Sequence, residues 1–345
     1  MRVLVTGHLG YIGTALVPAF LAAGHDVVGL DTDLYRACTF GDPAAVPSVP
    51  TISRDVRDVQ PEDLRGIDAI VHLAALSNDP LGDLDPALTF DINHGASIAL
   101  ARAGREAGVR RFLFSSSCSN YGAAGGALLD ESSPLRPVTA YGESKVRVEA
   151  DLWELAADDY VVISLRNATA YGVSPRLRCD VALNNLTAWG FTTGGVRLKS
   201  DGTPWRPVVH IRDIAEAFLL ALDAPAADVN GKAFNVGATD ANHQIRELAE
   251  VVARVVPGCE VELASDASPD TRNYRVNCDL FAQTVGFHPR WDIERGAHEL
   301  YDAFRSVGLT LADVEGPRFQ RIAQIRLLLE ERTIGPDLRF GVPIG

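Results

Sequence analysis

Tyr141 and Lys145 stand four residues apart in the segment YGESK, within a stretch of helical periodicity. That spacing puts both side chains on one face of a helix, one turn apart. A phenol with a pKa near 10 is a poor base at neutral pH, and a neighbouring ammonium favours its ionised form. Each unit of depression corresponds to about 1.4 kcal/mol of differential stabilisation. The pair suits removal of a proton from a substrate hydroxyl, although a pair on a surface helix would look the same. Ser115–Ser117, in FLFSSSCSNYG, sharpen the reading. Ser117 lies 24 residues before Tyr141, at the end of an apolar run. A strand-end hydroxyl there can hydrogen-bond the same substrate oxygen that Tyr141 deprotonates.

Near the N-terminus, TGHLGYIG sets Gly7, Gly10 and Gly13 in a GxxGxxG array, with Tyr11 and Ile12 between the last two. Glycines at a strand-to-helix turn let the backbone approach a pyrophosphate, and the helix N-terminus offers unpaired N–H groups and a positive dipole end. The spacing differs from GxGxxG, and a tightly packed turn is the alternative. The next apolar run, DVVGL, ends in Asp31, 18 residues beyond Gly13, about where a carboxylate would hold the adenosine ribose. Asp33 adds negative charge that should repel a 2′-phosphate and favour NAD over NADP. Asp55 and Val56 are placed to meet the adenine edge, unless Asp55 is a solvated loop acid. Leu73, Ala74 and Ala75, in HLAA, are small enough for a backbone to lie close beside a cofactor.

These groups need a scaffold that brings strand ends together. Apolar runs at Arg2–Thr6, Asp26–Leu30, Asp68–Leu73, Arg111–Ser115 and Val161–Arg166 predict buried strands. Between the first two, Ile12, Ala15, Leu16, Ala19, Phe20 and Ala23 recur at helical spacing before Gly24. Further helices are expected over about Pro86–Ala107 and Tyr141–Ala157. The alternation implies a parallel sheet covered by helices on both faces. After Asn167 turn-rich stretches surround a helix near Val181–Thr192. A strand and helix over Val208–Leu222, a strand at Lys232–Val236 and helices near Gln244–Val255, Glu294–Val307 and Pro317–Glu331 complete the chain. There is no internal repeat, low-complexity tract or long linker.

The chain has 345 residues, of which 47% are hydrophobic and 22% charged, as in an ordinary globular protein. Its length suggests two domains. Its formal net charge of −13 and the lack of a Lys/Arg cluster argue against a nucleic-acid partner, and any phosphorylated ligand would need a few placed arginines. No apolar run approaches the roughly 20 residues of a bilayer span, so no membrane partner is expected. Five cysteines without a CxxC pair, and no secretory signal, point to reduced thiols and a cytoplasmic location. No metal site is expected.

Glycine array, strand-end acid, serine and YxxxK in this order resemble the extended short-chain dehydrogenase/reductases, in particular the NAD-dependent sugar epimerase/dehydratase family and its nucleotide-sugar 4-epimerases. The likeness spans roughly residues 1–300, including LRNATAYG, NNL (Asn184–Leu186) and WRPVVHIRD (Trp205–Asp213). It implies an α/β fold: a Rossmann-type doubly wound parallel sheet (1–167 and 208–237) holding NAD, and a smaller mixed α/β C-terminal domain (168–207 and 238–345) holding a nucleoside diphosphate sugar. Tyr141 would be the base, Lys145 its electrostatic support and ribose contact, and Ser117 the hydroxyl partner. Gly7, Gly10, Tyr11, Ile12, Gly13, Asp31, Asp55, Val56, Leu73, Ala74, Ala75 and Asn93 would complete the cofactor site. Asn185, Arg206 and Arg272 match substrate-side contacts, an arginine fork suiting a diphosphate; surface salt bridges are the alternative for both arginines. Members are often homodimers built on the two helices expected here over about 86–107 and 140–157.

Departures from the family pattern bear on the reaction. The 4,6-dehydratases carry an Asp–Glu acid/base pair after the hydroxyl residue, where this chain has Cys118 and Ser119, and decarboxylating relatives have a glutamate where Ser119 stands. Cys118 is expected to be a packing residue. Thr169 replaces an asparagine common before YG. The resemblance favours epimerisation through a transient ketone. A 4-keto nucleotide-sugar reductase using the same three side chains, and a non-catalytic dinucleotide-binding protein, are the alternatives. The tail beyond about 305, with Phe319, Ile322, Ile325 and Leu329 at helical spacing, is expected to cover the substrate domain, make an oligomer contact or simply dock.

Overall fold

Val3, Leu4 and Val5 are fully excluded from solvent because Arg2–Thr6 lies in the interior of a parallel sheet, where both faces of a strand are covered. The computed structural model describes residues 1–198, 200–263 and 273–341. Its main sheet has seven parallel strands in the spatial order Lys232–Val236, Val161–Asn167, Arg111–Ser117, Ala69–His72, Arg2–Thr6, Asp26–Asp31 and Thr51–Ser53. The chain winds outward from Arg2–Thr6 to one edge, then crosses back to Ala69–His72 and winds to the other. Ligands of open parallel sheets bind in the crevice where the winding reverses, outside the carboxyl ends of the strands.

One face of the sheet is covered by the helices Gly13–Ala22 and Ile211–Asp223, which bring Leu16, Phe20, Ile214 and Phe218 into a core with Val5 and Ile163. The other face carries Ala96–Glu106 and Ala140–Trp153, whose Ile98, Leu100, Val148 and Leu152 pack against Leu4 and Phe112. A separate core joins the helices Ala182–Thr193, Ile245–Val255 and Ile293–Val307 through Leu183, Leu248, Val252, Leu300 and Phe304. Beside it Thr169–Tyr171, Trp205–His210 and Asn242–Gln244 form a small three-stranded sheet.

Three elements differ from expectation. Thr51–Ser53 is a strand of three residues, too short and too exposed to show an apolar run. The helix expected over 86–107 is broken: Pro86–Phe90 and Ala96–Glu106 are separated by a π-helical turn, Asp91–Gly95. Helix Ala140–Trp153 stops four residues early, because Ala157 already pairs with Tyr160 to start the next strand. Among the described residues no helix is long and apolar enough to cross a membrane.

Candidate active site

At the crossover, the glycine turn and the segment after Ala69–His72 touch. Gly7 has φ +71°, and a Cβ there would stand 2.8 Å from the Ala74 amide nitrogen; at Gly13 it would stand 2.3 Å from the Gly7 carbonyl oxygen. Only glycine allows both contacts. From this point a cleft of about 660 Å³ runs along the strand ends. It is lined by Gly7, Gly10, Tyr11, Ile12, Gly13, Asp31, Asp55, Val56, Leu73, Ala74 and Ala75 on the side of the first four strands, then by Ser117, Tyr141 and Lys145, then by Asn185 and Arg206.

Asp31 closes its own loop: its carboxylate accepts from the Leu9 amide at 3.0 Å and the Asp33 amide at 2.8 Å. Asp33 does not add bare negative charge to the cleft, as expected above. Arg176 reaches it at 2.8 Å and Arg36 at 3.3 Å, and the first of these comes from far along the chain. Asp55 is likewise engaged. Burial alone would raise its carboxyl, but hydrogen bonds from the Arg57 side chain and amide hold it below the ordinary carboxylate range. Val56 lines the cleft beside it.

The strand Arg111–Ser117 runs two residues further than expected and delivers the Ser117 hydroxyl to the cleft, where it accepts from the Ser119 amide at 3.1 Å. Thr139 caps the first turn of Ala140–Trp153 through the Gly142 amide and fixes the entry of the helix that carries Tyr141 and Lys145. Ser117 is the side chain that favours the ionised form of the Tyr141 phenol. Lys145 donates to the Ser115 carbonyl at 2.9 Å and sits 4.6 Å from the Phe114 ring centroid.

This arrangement corrects the expected electrostatics. Burial pushes the Tyr141 phenol up to about 12, against the pull of Ser117, with Asp79 raising it further and Arg178 lowering it. Burial also brings Lys145 down to about 7, against the pull of Glu149. The ammonium points at a carbonyl and lies over the faces of Phe114 and Tyr141, 5.7 Å from the Tyr141 centroid. Both shifts favour the neutral form of the group concerned. Between about pH 7 and the ordinary lysine value of 10.5 the unfolded chain binds the extra proton, so this group makes stability rise with pH across that window. Thermal unfolding of the NAD-free protein should show that rise, and Lys145→Met should flatten it. An identical slope in the variant would refute the assignment.

Asn93 does not line the cleft. The π-turn buries it, and its amide accepts from the Leu76 amide nitrogen at 2.7 Å while donating to the Leu76 carbonyl and Ser144. It pins the segment after Ala69–His72 to the Tyr141 helix. Asn185 donates to the Cys179 carbonyl at 2.7 Å and lines the cleft with Arg206, whose guanidinium lies 6.0 Å from the Tyr274 ring centroid. Arg272 lies outside the described residues. Cys118 is buried, its thiol donating to the Arg166 carbonyl at 3.1 Å, and burial raises it well above the ordinary thiol value. It is a packing residue, not a nucleophile.

Sequence reasoning missed Arg178 and Asp180, which line the cleft as a two-bond pair at 2.7 and 3.2 Å, with Asn78 also bonded to Asp180 at 2.8 Å. The i, i+2 charge pattern was the available signal. It also missed Gln320, Arg321 and Leu338, which reach the cleft from the C-terminal segment.

A cradle of glycines at the reversal point of a parallel sheet, an acid at the end of the second strand, and a serine, tyrosine and lysine further along define a dinucleotide-dependent enzyme of the short-chain dehydrogenase type. The turn packs so closely that a Cβ would strike neighbouring backbone, and the helix Gly13–Ala22 that starts there lines the cleft at its N-terminus, which fits a pyrophosphate laid against the backbone. Residues 3–237 match the profile of the NAD dependent epimerase/dehydratase family, and the chain belongs to that family. It is 30% identical over 313 residues to the UDP-glucose 4-epimerase of Lacticaseibacillus casei, covering 85% of this chain and 93% of that one. Among solved structures, the UDP-glucose 4-epimerase of Thermus thermophilus in complex with NAD is 27% identical with a TM-score of 0.73, covering 88% of this chain and 99% of that one. MoeE5 in complex with UDP-glucuronic acid and NAD is 26% identical with a TM-score of 0.75, covering 89% and 99%. The cofactor is NAD.

Proposed function

We propose that the chain epimerises a nucleoside diphosphate sugar through a transient 4-keto intermediate. The observation that carries this reading is the convergence of Ser117, Tyr141 and Lys145 at one point of the cleft, without an Asp–Glu pair after Ser117. Bound NAD would accept a hydride from the sugar carbon and return it. Tyr141, as phenolate, takes the proton of the hydroxyl on that carbon and gives it back after the keto sugar has turned. Ser117 holds the same oxygen, and the Lys145 ammonium stabilises the phenolate. Asp79, the acid that acts on the Tyr141 phenol, is bonded to the helix cap Thr139 at 2.7 Å. The strands and helices of residues 1–167 and 208–237 hold the cofactor in this reading, and 168–207 with 238–345 hold the sugar nucleotide through Asn185 and Arg206. UDP-hexoses are the substrates to try first, given the UDP-glucose 4-epimerases and MoeE5 among the relatives. A homodimer through the helical faces of 86–107 and 140–157 belongs to the same reading.

The test is conversion of UDP-glucose or UDP-glucuronic acid to its C4 epimer, followed by NMR with no added cofactor. Turnover on the NAD carried by the purified protein supports the proposal. No epimer from either sugar, together with stoichiometric oxidation of NADH by a 4-keto nucleotide sugar, makes the protein a ketoreductase instead. Ser117→Ala should lower kcat by on the order of 10²–10³-fold, with little change in bound NAD, as for loss of a positioned acid–base partner. Wild-type kcat in that variant would remove Ser117 from the mechanism.

A further inference from the structure

The C-terminal segment 317–341 adds no strand to the main sheet, yet it walls the cleft. Phe319 is fully buried against Phe40, with ring centroids 5.7 Å apart. The helix Arg321–Glu330 and the turn after it bury Ile325, Ile334 and Leu338 against Leu76 and Leu81, which follow the strand Ala69–His72. The segment then ties down beside Asp55. Arg57, already held by Asp55, donates to the Asp337 carbonyl at 2.9 Å, and Arg339 pairs with Asp58. Leu338, with φ +59°, faces the cleft at this end.

Arg321 carries an unspent charge. It is only 2% exposed and lines the cleft. Its guanidinium lies 4.5 Å from the Tyr35 ring centroid and donates through one Nη to the Arg176 carbonyl at 2.6 Å; its other Nη has no partner. Asp33 is bonded to Arg176, and Asp180 to Arg178 through both oxygens, while Asp180 also accepts from the Arg321 backbone amide at 3.4 Å; neither carboxylate is bonded to the guanidinium. A buried guanidinium nitrogen left without a partner is costly unless an acceptor completes it. Burial lowers its proton affinity, with Arg178 adding to it, against the pull of Cys38 and Asp180. Tyr35 belongs to the loop that follows Asp31, which puts Arg321 on the dinucleotide side of the cleft.

We infer that residues 317–341 are the outer wall of the NAD site, that Arg321 takes a diphosphate oxygen of the dinucleotide, and that the cofactor leaves only when this segment lifts. The inference rests on the NAD cleft and stands whether the reaction is epimerisation or another of the family. A nucleotide sugar offers the same diphosphate chemistry, so the test separates the two sources.

The full chain, stripped of NAD, is titrated with NAD and, separately, with UDP, and hydrogen exchange is followed across 321–341. Arg321→Gln should weaken NAD binding on the order of 10–100-fold, the range for a lost charge-assisted hydrogen bond. It should leave UDP binding unchanged, and Arg321→Lys should recover part of the loss. NAD, and not UDP, should slow exchange in the segment of the unaltered protein, a readout that survives even if a variant fails to fold. Wild-type NAD affinity in Arg321→Gln, a loss confined to UDP, or exchange indifferent to NAD would each overturn the inference.

Discussion

Tyr141→Phe should reduce epimerisation by on the order of 10⁴-fold, the upper range for removal of a positioned acid–base group, while the protein keeps its NAD. The substitution removes one oxygen from a half-buried phenol that lines the cleft beside Ser117, so the ring and the helix Ala140–Trp153 stay in place. Loss of one neutral hydroxyl should cost the fold only about 1 kcal/mol. Turnover, bound NAD by absorbance after denaturation, and the thermal midpoint together separate a chemical defect from a structural one. Turnover within about tenfold of wild type would sink the base assignment. The raised value of the phenol makes this experiment more informative. A group pushed up to about 12 by burial needs help to ionise near neutrality. In the proposed mechanism that charge would come from a protonated Lys145 and, with oxidised NAD bound, from its nicotinamide ring.

Arg166→Met should cost about 3–5 kcal/mol, the penalty for leaving one partner of a buried ion pair alone. That is a large part of the 5–15 kcal/mol by which a domain is usually stable. Arg166 and Glu149 are 2% and 1% exposed at their side chains, and three guanidinium–carboxylate contacts of 2.7–3.1 Å join them. Glu149 also accepts from Asn120 at 3.0 Å and from Ser116, next to Ser117, while Arg166 donates to the Tyr121 hydroxyl at 3.0 Å. Without the guanidinium the carboxylate has no other cation bonded to it. Adding Glu149→Gln should restore more than half of the loss, because the uncompensated charge goes. Denaturant unfolding measures both variants; a change under about 1 kcal/mol in the single variant would mean the pair matters little to stability.

Much of the main sheet was legible because its information is local. Alternating apolar runs and helical periods placed six of the seven strands, and only Thr51–Ser53 lacked a pattern. Gly7, Gly13, Ser117, Tyr141 and Lys145 were readable because each sits within a few residues of the turn or helix that positions it. What escaped depends on residues far apart. Arg176 neutralises Asp33 across 143 positions, and Arg57 meets the Asp337 carbonyl across 280. The burial of the Tyr141–Lys145 pair escaped for a related reason: spacing tells that a lysine is near a phenol, but the desolvation of both groups and the Ser115 carbonyl that holds the ammonium are tertiary facts.

The π-turn at Asp91–Gly95 has a consequence for anyone redesigning the protein. An α-helix advances 100° per residue, so one surplus residue swings everything downstream by more than a quarter of a circle. Ala96, Ile98, Leu100 and Ala101 meet the sheet only because that swing has occurred. Deleting a single residue from the turn would leave a smoother helix of good local propensity whose greasy stripe faces the wrong way. Shortening by one here is thus more disruptive than most point changes, and a length polymorphism at this spot should be read as a change of facing rather than of size.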